Sequence, residues 1–98
     1  MNVTSIALSG VQAASTRLDA AANNIANSQT PGFRRDQVMQ QTQEQEGVLT
    51  VVGKAQEVGA DLAADLVEQM QATYAFRANL RTIEAEKRMT GSLLDMQA

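Results

Sequence analysis

Ala22-Asn-Asn-Ile-Ala-Asn-Ser-Gln-Thr-Pro-Gly-Phe33 is the stretch on which the reading of this chain turns. An alanine-rich run meets three asparagines and then the only proline of the 98 residues, with glycine directly after it. Proline fixes φ and moves the residue before it, Thr30, away from the helical region. The order therefore predicts a helix that stops near Asn27 to Gln29. Gly32 after Pro31 suits a type II turn, which needs a residue tolerant of positive φ at its third position.

Working upstream, Thr4, Leu8, Val11, Ser15, Leu18, Ala22, Ile25 and Gln29 alternate steps of four and three. Leu8, Val11, Leu18, Ala22 and Ile25 supply an apolar seam, and Ala7, Ala14 and Ala21 widen it. That is the spacing of a helix packed against another helix, and the alanines add propensity. The reading is a helix over about 4–28, with Thr4 or Ser5 as N-cap and Gly10 as its weak point.

Downstream, a second helix is expected from Ala60 or Asp61 almost to residue 97. Leu62, Leu66, Met70, Thr73, Phe76, Leu80 and Ile83 step by three and four, and Leu94 extends the line. Val67, Tyr74, Met89, Leu93 and Met96 lie beside it. Asp61 and Asp65 suit the positive end of the helix dipole. Gly91 predicts fraying or a break. Between the helices, the polar run 40–46 suits an exposed link or a helix extension. Gly47-Val-Leu-Thr-Val-Val-Gly53 reads as one strand or as an apolar patch lying across the helices.

These elements define a mainly all-α fold in one domain over 1–98. Its long N- and C-terminal helices form an antiparallel, coiled-coil-like hairpin with a short irregular or β-containing connector over 29–59. Two helices cannot cover both wide apolar faces, so residual apolar surface and self-association are expected.

Composition removes several functions. With no cysteine and no histidine, disulfide frameworks and cysteine–histidine metal sites are excluded. Carboxylates, lysines and a tyrosine remain as acids or bases. Glu84 and Glu86 point to different sides of a helix among Arg81, Lys87 and Arg88, a compensated surface rather than a catalytic pair. No catalytic residue, cofactor site or metal site is expected. The net charge is −3, with the acids concentrated in residues 36–65. No basic stripe favours nucleic acid. No stretch approaches the roughly 20 apolar residues of a membrane span, and the N-terminus lacks the pattern of a secretory signal.

The segment Asn23, Asn24, Ile25, Ala26, Asn27, Thr30, Pro31, Gly32, Phe33 resembles the end of the first helix in bacterial flagellar rod and hook proteins, the axial proteins of the flagellum. The second helix carries a separate resemblance. Asp61-Leu62-Ala63 is similar to the family's helix start, and Leu66-Val67-Glu68-Gln69-Met70 to its apolar step. Ala72-Thr73-Tyr74-Ala75-Phe76-Arg77-Ala78-Asn79 is similar to its core, with Phe76 where tyrosine is usual. Met89 and Leu93-Leu94 sit where the family has a methionine and a leucine pair.

The resemblance implies a non-enzymatic structural subunit of the basal-body rod. It would be exported unfolded by the flagellar type III apparatus without a cleaved signal, and would polymerise with itself and other rod or hook subunits. The signature residues would then position the chain leaving the first helix. Leu8, Val11, Leu18, Ile25, Leu62, Leu66, Met70, Phe76, Leu80, Ile83 and Leu94 would serve helix packing or subunit contacts. The middle is shorter than the family's usual β-rich region, and Ser28-Gln29 replaces the asparagine usual there. The competing expectation is a cytoplasmic helical-hairpin adaptor that binds flagellar proteins without polymerising.

Overall fold

A computed structural model describes residues 3–44 and 47–97, the side chain of Gln97 excepted. Helix α1 spans Val3–Ala26, strand β1 Asp36–Gln43, strand β2 Gly47–Lys54 and helix α2 Leu62–Gln97. The helical pair with a β-containing connector is the architecture the periodicity implied. The boundaries differ in detail. Helix α1 begins at Val3, so Thr4 and Ser5 lie inside it, and the Thr4 hydroxyl donates to the Glu86 carboxylate. The helix ends at Ala26, where Asn27 closes it: the Asn27 N–H and side-chain amide both donate to the Asn23 carbonyl, at 3.0 and 2.9 Å. An otherwise unpaired terminal carbonyl is thereby satisfied.

Helix α2 starts at Leu62 because Asp61 caps it. The Asp61 carboxylate accepts the Ala64 N–H at 3.1 Å, and its carbonyl accepts the Asp65 N–H at 3.0 Å. The helix runs unbroken through Gly91, contrary to the expected break. A single glycine costs about 1 kcal/mol relative to alanine, less than its neighbours contribute to a helix of this length.

The connector is an antiparallel hairpin with Asp36 opposite Lys54, Val38 opposite Val52 and Gln43 opposite Gly47. Gln40 to Gln43, expected as a link or helix extension, belong to β1. Strand β2 pairs with them in register, Thr50 opposite Gln40, Leu49 opposite Gln41 and Val48 opposite Thr42, which overrides their weak strand preference. Val38, Val48 and Thr50 are half-buried, and the hairpin rests on α1. The Ser9 hydroxyl accepts the Val48 N–H at 3.1 Å and donates to the Ile6 carbonyl at 2.7 Å. The opposite sheet face carries Met39, Leu49 and Val51, all exposed.

The helices pair antiparallel, with Thr4 meeting Glu86, Gly10 meeting Asn79, Arg17 meeting Glu68 and Asn24 meeting Asp65. The joint is made of small and polar residues. Ala7, Ala14 and Ala21 recur every seventh position on α1, and Ala72 is their fully buried counterpart on α2. Gly10 is required by closeness. A Cβ there would stand 2.6–2.7 Å from the Asn79 amide, which itself donates to the Ala75 carbonyl at 2.9 Å. The weak point of the helix is thus a point of close approach to its neighbour.

Candidate functional site: the signature junction and the outer apolar face

The signature segment builds a turn and a clamp. The Phe33 N–H donates to the Thr30 carbonyl at 3.3 Å, and Gly32 has φ of 73°. With Pro31 at the second position this is a type II turn. Asn27 prepares it by accepting the Thr30 hydroxyl at 3.2 Å. Pro31 and Gly32 are exposed, whereas the Phe33 ring lies 5.5 Å from the Lys54 ammonium in a cation–π arrangement. Chain pairing continues past the turn. The Gly59 N–H donates to the Phe33 carbonyl at 2.9 Å, and the Ala55 N–H to the Arg35 carbonyl at 2.7 Å.

Asn23 and Asn24 then hold the start of β1. The Asn24 amide donates to the Asp36 carbonyl at 2.9 Å, and its side-chain oxygen accepts the Asp36 N–H at 2.7 Å. Asn23 donates to the Asp36 carboxylate at 2.8 Å. Lys54 reaches the same carboxylate at 2.5 Å. The Lys54 hydrogen bond, helped by Asn23, holds the Asp36 carboxyl below the usual aspartate range.

Asn24 also donates to Asp65 of α2 at 3.3 Å, and both residues are almost fully buried. Arg35 approaches Asp65 with two nitrogens, its Nε lying 3.1 and 3.2 Å from the two carboxylate oxygens. Hydrogen bonding to Asp65 raises the Arg35 pKa further above its ordinary value. One cluster therefore ties α1, the chain after the turn and α2 together. The dipole reading of Asp65 misses this. An aspartate at 1% exposure is held by its ion pair and hydrogen bonds, with the dipole as a secondary influence.

The apolar stripes singled out by periodicity lie beside the joint. On α1, Leu8 and Ala22 are exposed, and Val11, Leu18 and Ile25 are half-buried. On α2, Leu62, Leu66, Met70, Leu80 and Leu94 are exposed, while Thr73, Phe76 and Ile83 are half-buried. The 100° rotation per residue explains the offset. Asp65, Glu68, Ala72, Asn79, Ile83 and Glu86 occupy the face against α1, which carries Leu62, Leu66, Thr73 and Leu80 to one side of it. Ala64 and Glu68 lie across from that stripe, lining the cleft against β1. The stripes of both helices accordingly form one open apolar face, opposite the hairpin.

Glu84 lies 3.9 Å from Arg88 on an exposed surface, and Glu86 accepts from Thr4. Among the described residues no group of three or more acids is placed to hold a metal ion. Among the described residues no helix is long and apolar enough to cross a membrane.

Residues 5–34 match the family model of the flagella basal body rod protein. The matched span is α1 with the Thr-Pro-Gly-Phe turn, so it supports the resemblance to the rod family carried by those residues, and with it a structural role in the basal-body rod. No curated protein matches the chain.

Proposed function

We propose that the chain is a structural subunit of the flagellar basal-body rod that polymerises with itself and other rod or hook subunits, and so contributes to motility. It reaches the rod through the flagellar type III export apparatus without a cleaved signal. The helix pair supplies the packing surface, and the signature junction fixes the angle at which the hairpin leaves it.

The observation that carries this reading is surplus surface. The chain exposes 7045 Å², where a compact monomer of 10.5 kDa exposes about 5,400 Å². Its radius of gyration is 17.3 Å, where about 13 Å is typical for this length. The excess includes the face bearing Leu8, Leu62, Leu66 and Leu80, and large apolar faces of that kind mark interaction sites.

The test is to purify basal bodies from cells expressing a tagged copy that still supports assembly. Co-purification with the rod is expected. Recovery only as a soluble stoichiometric complex in the cytoplasm would replace the rod subunit with an adaptor.

A further inference from the structure

The helix register leaves the two ends of the molecule unlike each other. Thr4 meets Glu86, so α2 runs on for eleven residues, 87–97, beyond that contact. At 1.5 Å per residue the overhang is about 16 Å long. Residues 87–96 are all exposed, and Met89, Leu93, Leu94 and Met96 form an apolar surface on it. Lys87 and Arg88 stand at its root.

At the other end, the Gly59 N–H to Phe33 carbonyl bond brings the 55–61 loop beside the Thr-Pro-Gly-Phe turn. A concavity of about 510 Å³ opens there, walled by Ala55, Val58 and Ala60 together with Gln37 and Gln56, and carrying Glu57 and Asp61 as acids and Arg35, which is paired with Asp65, as its cation. Val58 is 66% exposed within it. Asp61 caps α2 as a hydrogen-bond acceptor. One end therefore offers an apolar helical peg with a basic root, and the other a largely polar socket in which Val58 is the exposed apolar side chain and the acids Glu57 and Asp61 outnumber Arg35.

We infer that the α2 overhang of one copy seats in the 55–61 concavity of the next, joining copies end to end. The inference deepens the rod reading by naming a contact between successive subunits. Because peg and socket are different surfaces, the contact is heterologous, and each added copy leaves one of each free. Lys87 and Arg88 meet Glu57 and Asp61, while Leu93 and Leu94 cover Val58.

The chain contains no cysteine, so introduced thiols report without background. Leu94→Cys and Val58→Cys chains are prepared separately, checked for helicity by circular dichroism, mixed and oxidised. A mixed 58–94 disulfide dimer is expected in at least tenfold excess over either symmetric dimer, and the double variant is expected to form a ladder of multimers. Adding Lys87→Glu and Arg88→Glu to the first chain should cut the mixed product roughly tenfold, the effect of about 1.4 kcal/mol. Glu57→Lys in the second chain should then restore it. Predominance of the 94–94 dimer would show overhangs pairing with each other and overturn the inference. So would a 58–94 yield no higher than that of a Gln41→Cys control. Recovery from basal bodies is a separate measurement, so a chain found in the rod but lacking the 58–94 contact would refute only the end-to-end joint.

Discussion

Asn24 engages both backbone groups of Asp36, donating to its carbonyl at 2.9 Å and accepting its N–H at 2.7 Å. A side-chain amide thus takes the place of a neighbouring strand at the first residue of β1. Asn24→Ala strips partners from two backbone groups at once. A loss of about 2–3 kcal/mol is expected, since each buried polar group left unpaired costs about 1–3 kcal/mol. Asn24→Asp should be no milder, because it replaces a donor with a second carboxylate beside Asp65. Urea unfolding of both variants measures this.

The Arg35–Asp65 pair should show the asymmetry of buried charges. Arg35→Met alone leaves a carboxylate at 1% exposure without its cation, and about 3–5 kcal/mol should be lost. Adding Asp65→Leu removes the stranded charge and should recover much of that loss. A double-mutant cycle by chemical denaturation decides it.

Acid should act on Asp36. Its carboxyl is held below the ordinary value by Lys54 and Asn23, so its ionised form stabilises the fold. A depressed carboxylate contributes fully above the unfolded value of about 3.9, and the contribution disappears as pH falls through the folded value. The stability difference between the natural chain and Asp36→Asn should therefore be largest near neutral pH. It should shrink in solutions more acidic than about pH 4. The difference should stay under about 1 kcal/mol, because Lys54 is largely exposed. Thermal melts across that range give the answer.

Gly10 and Asn79 should prove coupled. On an open helix, glycine to alanine gains up to about 1 kcal/mol. Here the new methyl meets the Asn79 amide and displaces its bond to the Ala75 carbonyl. Gly10→Ala should be more favourable by roughly 1 kcal/mol in an Asn79→Ala background than in the natural one, as melting of the four chains would reveal.

Periodicity in the sequence located both helices, and Pro31-Gly32 the turn between them. What it could not convey was which stripe faces the partner helix. Hydrophobic spacing points to the largest side chains, Leu8, Leu62 and Leu66. The helices meet instead through Ala7, Ala14, Ala21 and Ala72, because small residues and one glycine permit the closest approach. The clamp was illegible for another reason. Asn24 binds the backbone of a residue twelve positions away, and a backbone target leaves no mark in residue identity. Gln40 to Gln43 are polar by themselves and become strand only through register with β2.

The alanine joint has a thermodynamic corollary. Small side chains contribute little transfer free energy, so the isolated chain is held together with its richest hydrocarbon still hydrated. A neighbour that covers Leu8, Leu62, Leu66 and Leu80 binds only the folded form, and by mass action each such encounter drains the unfolded population. Under the self-association proposed above, folding and assembly would become a single equilibrium, and the melting temperature is expected to climb as the protein is concentrated.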